Sequence, residues 1–181
     1  MWDDIDSEIT DWSSTRIRQW ISDLDEQAAP RSVNWWIGIR QRLQHRVYDR
    51  DLPADLRREW GEVVLLLMDC AVRIAGGDPW STAVGKFHLR GLLIRELGPV
   101  PGDTTWDQIA LTREVLATTT LDVDHAREMA GHWRTLPTEE IRVLRQHKSL
   151  FAPLALLADQ LPEGDYSEQV NAWLVVQPTL P

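Results

Sequence analysis

The chain has 181 residues, 43% of them hydrophobic and ten of them Trp, with a formal net charge of −9 at neutral pH. That size and apolar content suit one domain whose core needs no staple, and the net charge disfavours nonspecific nucleic-acid binding, because phosphate repels an anion. The lone Cys70 excludes an intrachain disulfide, and the longest apolar run, VVLLLM, is far too short to cross a bilayer.

The first 29 residues hold eight acids (Asp3, Asp4, Asp6, Glu8, Asp11, Asp23, Asp25, Glu26) against Arg16 and Arg18. Within them Ile5, Ile9, Trp12, Trp20, Ile21 and Leu24 are spaced for an amphipathic helix from about residue 4 to 27, with Ser13-Ser14-Thr15 as an internal break and new cap. This stretch carries no apolar run of signal length, so a cytoplasmic, reducing location is expected. Pro30 separates it from a second helix over about 31–49, with Val33, Trp36, Ile37, Leu43 and Val47 as its apolar positions. On that helix Arg42, Arg46 and Arg50 recur every fourth residue as a basic stripe, which Arg57 and Arg58 extend.

The central element is the stretch 52–77. Leu56, Trp60, Val63, Leu67, Cys70 and Ile74 fall on one helical face. Asp51 is its expected cap, Pro53 suits its first turn, and Gly76-Gly77 supply a left-handed stop. Leu66 and Met68 widen the apolar surface, so this helix is expected to be covered on several sides. Cys70 reads as a packed small hydrophobe.

Beyond Asp78-Pro79, Ser81 is the expected cap of a fourth helix up to Leu97, stopped by Gly98 and the loop after it. Asp103 or Thr104 would start a fifth carrying Trp106, and Asp122 or Asp124 a short sixth through Trp133. Thr138, with Glu139 and Glu140 behind it, would start a seventh. Pro153 is expected to bend or restart the chain. A last short helix holds Val170, Trp173 and Leu174. Alternating two-residue periodicity is absent. The fold class is therefore all-α, a single-domain bundle of roughly seven to nine helices. Its expected parts are an acidic segment over 1–29 packed on the main bundle, a helical core over 30–175, and a tail over 176–181.

Four constellations bear on function. Arg127…His132 has the Arg-x4-His spacing that resembles HEPN-type ribonucleases, but Arg40…His45 and Arg142…His147 match equally. Seventeen Arg and five His produce such matches by chance, and none is followed by the Asn, Asp or His common in that family. His125, Glu128 and His132 share a helix face, yet the two His lie about 10 Å apart along the axis, so a second helix would have to complete a metal site.

Trp80-Ser81-Thr82-Ala83-Val84-Gly85-Lys86-Phe87-His88-Leu89 resembles the Trp-Ser-Val…His-Leu helix start of the DinB-like superfamily. The resemblance implies a four-helix metal-binding fold with transferase or hydrolase chemistry. It makes His88 a first ligand, with His132 or His147 as later ones, while a middle ligand has no counterpart. The stripe Arg42, Arg46, Arg50 has the spacing to track a phosphate backbone, with Trp35 or Trp36 to stack on bases. The competing reading pairs it with the acids of the first segment.

Phosphate-binding loops, Cys-x-x-Cys pairs, His-Glu-x-x-His and Gly-x-Ser-x-Gly motifs are absent from the sequence. Of the ten Trp, Trp12, Trp20, Trp36, Trp60, Trp106, Trp133 and Trp173 sit in or beside apolar stripes and read as core. Trp2, Trp35 and Trp80 do not, although Trp80 also suits a helix-start staple.

Trp and Arg dominate binding hot spots. The leading expectation is therefore a non-enzymatic protein that binds another protein. Trp35, Trp80, Arg42, Arg46 and Arg50 would anchor the partner, and Asp3, Asp4, Asp6 and Glu8 would steer a basic one. Nucleic acid, through the Arg stripe, is the second partner class, and self-association is a further one. No cofactor, resident metal or membrane is called for.

Overall fold

The computed structural model describes residue 5 and residues 8–161, 164 and 166–181. Among these are eight α-helices, three short 3-10 turns and no strand, so the protein is all-α as its helical spacing predicts. Asp3, Asp4 and Asp6 lie outside the described residues. The chain divides into two compact units, one ending at Lys86 and one beginning at Phe87. No loop or composition change marks this point, which falls inside a helix.

The first unit contains a 3-10 turn, Ile9–Asp11, followed by α1 (Ser14–Ser22), α2 (Val33–Tyr48) and α3 (Ala54–Ala75). It also takes in α4 (Pro79–Leu97) as far as Lys86. Helix α1 starts where the Ser-Ser-Thr break predicts, with the Ser13 side chain accepting the Arg16 N–H at 3.2 Å. It stops at Ser22, short of the expected residue 27. Ser32 caps α2, accepting the Trp35 N–H at 3.4 Å, and Trp36, Ile39, Leu43 and Val47 turn its fully buried face inward.

Helix α3 is central, as expected: Trp60, Val63, Leu67, Cys70 and Ile74 are all buried. Its start differs from expectation. Asp51 does not cap it; Pro53 occupies the N-cap position with extended backbone and no side-chain cap. A residue before proline is pushed out of the helical region, which keeps Leu52 out of the helix and leaves Asp51 too far back to cap it. Its end follows the sequence: Gly76 has φ of +69°, and the Gly76 and Gly77 amides fold back on the Val72 and Ala71 carbonyls at 3.1 and 3.0 Å.

Helices α2 and α3 pack antiparallel, and each C-terminus is closed by an arginine. Buried Arg57 donates through Nε to the Val47 carbonyl at 2.7 Å, and Arg31 donates to the Ile74 carbonyl at 2.9 Å. These are last-turn carbonyls that have no partner within their own helices. One expectation for α3 fails. Met68 is buried, but Leu66 is 39% exposed. It lies on an outer line with Glu59, Glu62, Asp69 and Arg73, so the helix keeps one solvent-facing edge. Around that edge Arg18 pairs with Glu62 at 2.6 Å and Lys86 with Asp69 at 2.9 Å, and Glu26 pairs with Arg73.

At the start of α4 the cap is Asp78, not Ser81. The carboxylate accepts the Ser81 N–H at 3.0 Å, the Trp80 N–H at 3.3 Å and the Ser81 hydroxyl at 2.5 Å. Pro79, which needs no N–H partner, takes the first helical position.

The second unit contains the rest of α4 with α5 (Gln108–Thr118), α6 (Val123–Gly131), α7 (Thr138–Leu156) and α8 (Ser167–Val176). Short 3-10 turns follow α6 and α8. Helix α5 begins later than the sequence suggests: Asp107 caps it, accepting the Ala110 N–H at 2.7 Å, and Trp106 is buried just ahead of it. The cause is Arg90 on α4. Its buried guanidinium binds the Thr105 carbonyl at 2.8 Å, the Thr104 carbonyl at 2.9 Å and the Glu114 carboxylate at 2.6 Å, which holds residues 104–105 out of the helix.

Helix α7 starts at Thr138 after Pro137, so Thr138 is its first residue rather than its cap. It continues through Pro153 without restarting. A proline inside a helix removes the hydrogen bond to the carbonyl four residues back, here Ser149. His88 of α4 donates through Nε2 to that carbonyl at 2.9 Å. The helices touch nearby at Gly91, where a Cβ would lie 2.9 Å from the Pro153 Cβ. The last residues are packed rather than a free tail. Leu180 is buried, and its carbonyl accepts Lys148 Nζ at 2.6 Å.

Candidate interaction surface

Four indoles gather in the first unit. Trp36 is fully buried, with Nε1 donating to the Pro30 carbonyl at 2.9 Å, and Trp12 is nearly so. Trp20 stacks on Trp36 (6.1 Å between centroids, 28° between planes) and meets Trp12 edge-on at 6.2 Å. Trp35 meets Trp36 edge-on at 4.9 Å and lies 6.4 Å from Trp20. Trp20 and Trp35 are both half-exposed. The result is a pair of adjacent surface indoles fixed from behind by two buried ones, with the Arg16 guanidinium 4.0 Å over Trp12.

Sequence periodicity places Trp20 in the core; the structure leaves it at the edge, because Ile17 takes the inward position on α1. Trp133 is likewise only half-buried. The acids Glu8, Asp11, Asp23, Asp25 and Glu26 of this unit are exposed. Trp80 is half-buried at the second position of α4.

The Arg stripe is not a row of three equivalent solvent cations. Arg46 donates to the Thr10 carbonyl and lies 4.4 Å over the buried Trp60 ring. Arg42 is half-buried, Arg50 is exposed, and Arg57 is inside the fold.

The histidines are dispersed. His88 serves the Ser149 carbonyl, which requires a proton on Nε2. His147 is buried on α7. Its Nδ1–H donates to the Val143 carbonyl at 2.9 Å, and Nε2 accepts the Leu121 N–H at 3.2 Å, so neither nitrogen offers a lone pair for metal. Its ring stacks on Trp173 at 5.6 Å. His132 is exposed at the end of α6, and His125 faces Glu128 at 3.9 Å in solvent. Among the described residues no group of three His, Cys, Asp or Glu side chains is placed to hold a metal ion. Arg127 and Arg142 of the Arg-x4-His matches pair with Asp124 and Glu139 one turn earlier, as solvated helix-surface arginines do. Burial, reinforced by the neighbouring Asp69, pushes the Cys70 thiol up to about 11, which keeps it neutral.

Burial also pulls the His147 imidazole below its ordinary value of 6.5. The unfolded chain therefore takes up this proton first. The stabilisation is complete above about 6.5 and is lost as the pH falls from there to the folded-state value. Urea melts at pH 7.5 and 5.5 should show lower stability at the acid end, and a smaller difference in His147→Gln.

Among the described residues no helix is long and apolar enough to cross a membrane. No protein-family model, curated protein or solved structure matches the chain.

Proposed function

We propose that this chain is a non-enzymatic helical protein of the cytoplasm that works by binding a basic protein partner. It would act as a small subunit of a larger complex, an adaptor, or a neutraliser of the antitoxin or immunity type. The observation that carries this reading is the Trp20–Trp35 pair. Two rigid, half-exposed aromatic rings cost little conformational entropy to bury and are the side chains that most often anchor an interface. They stand in a unit whose first 29 residues hold eight acids against two arginines, which favours a positively charged partner and fast, salt-sensitive association. Trp80, Arg42 and Arg50 would extend the contact. A metal-dependent transferase or hydrolase of DinB-like type would require His88 and His147 to give up the hydrogen bonds they make now.

The test uses the partner that co-purifies with the tagged protein, titrated back in purified form. Trp35→Ala should weaken that complex by about tenfold or more. Reversal of Asp3, Asp4, Asp6 and Glu8 to Lys should slow association and flatten its salt dependence. Binding that is indifferent to both changes would contradict the reading.

A further inference from the structure

A cavity of about 220 Å³ lies in the first unit between α2, α3 and the start of α4. Its walls are mainly apolar, formed by Trp36 of α2 and by Leu67, Met68 and Ala71 of α3. Arg40 is the single cation among its lining residues. The placement follows from spacing: Val33, Trp36, Arg40, Leu43 and Val47 recur at three and four residues, so a guanidinium occupies one site in an otherwise apolar line. Arg40 Nε is buried, and no hydrogen-bond acceptor among the described residues meets it. A buried N–H without an acceptor is destabilising and calls for an oxygen from elsewhere. Asp78, on the rim, already accepts two amides and the Ser81 hydroxyl as the cap of α4.

We propose that this cavity binds a small organic monocarboxylate with an aromatic or branched aliphatic body. The carboxylate meets Arg40, and the body lies on Trp36, Leu67 and Met68. The volume sets the scale, since a dry cavity of about 150 Å³ accepts one benzene ring, and a ring with a short acid arm fits within about 220 Å³. The charge sets the class. One guanidinium matches one carboxylate, while the Asp78 carboxylate on the rim opposes a dianion such as a phosphate monoester about twice as strongly as a monoanion. The site shares Trp36 with the backing of the proposed protein-binding face, but its ligand and its test do not depend on that face.

The experiment is a calorimetric and saturation-transfer NMR titration of the full chain with phenylacetate and 3-methylbutanoate, against phenylacetamide and phenyl phosphate. At least one acid should bind saturably, with the amide and the phosphate about tenfold weaker or more. Arg40→Gln should abolish the preference for acid over amide, and Ala71→Leu, which fills the cavity and keeps the charge, should abolish binding of both. Circular dichroism melts establish that both variants are folded. If either is not, the acid-over-amide preference of the unaltered chain decides. Absence of saturable binding by both acids up to about 10 mM, or equal binding of acid and amide, would overturn the proposal.

Discussion

Trp173→Ala should be the most damaging single substitution, lowering stability by about 3–5 kcal/mol. Trp173 is buried on α8 with Phe151 stacked on it at 4.4 Å and 11°, and His147 at 5.6 Å and 16°. His147 and Phe151 are one turn apart on α7, so the indole spans two successive layers of that helix. Removing it leaves a cavity that neither ring can close from its own rotamer, and it unseats the imidazole that holds the Leu121 amide. Trp173→Phe keeps a ring in the stack and should cost markedly less. Urea unfolding followed by circular dichroism measures both. A Trp173→Ala loss below about 1 kcal/mol, the ordinary size for a point substitution, would mean that the stack does not hold the unit together.

Arg90→Leu should follow, at about 2–3 kcal/mol, and the source of the loss is specific. The ion pair with Glu114 contributes little, because that carboxylate is half-exposed and water can solvate it. The Thr104 and Thr105 carbonyls matter more, since both accept from a buried guanidinium, and a hydrogen bond to a charged group contributes about 1.5–3 kcal/mol. Glu114→Gln should therefore lose less than about 1 kcal/mol. Arg90→Lys should fall between, since an ammonium on a flexible stem cannot reproduce the three-way fork. The same melts rank the three variants. A Glu114→Gln loss equal to that of Arg90→Leu would place the energy in the ion pair instead.

The contrast between Arg90 and α3 indicates what the sequence reveals. Helix α3 is legible because burial repeats with the helix period and because Gly76 is the residue type that tolerates a positive φ. Arg90 is not legible. Nothing in the spacing of Arg90 on α4 says that loop carbonyls fourteen and fifteen residues later will converge on it. His88 is a third case. Its neighbours suggest a metal ligand, and only the fold brings it beside the carbonyl that Pro153 leaves unpaired. For the surface, composition points to Trp35 but not to its neighbour Trp20, whose exposure depends on the rotation of α1 about its own axis. Arg40 leaves a trace that can be read, as a charged residue standing at an apolar position of α2. The acids at positions 3, 4 and 6 remain legible only as charge.

The most direct test of the partner-binding account is native mass spectrometry of the tagged protein, gently purified from its own host, beside the Trp20→Ala/Trp35→Ala form. The account predicts an added mass of a basic protein on the unaltered chain, lost or much reduced in the double variant even though that variant melts as a folded helical protein. A bare chain, or a complex that survives loss of both indoles, would contradict it. A chain carrying one stoichiometric metal ion would direct attention back to His88, His132 and His147.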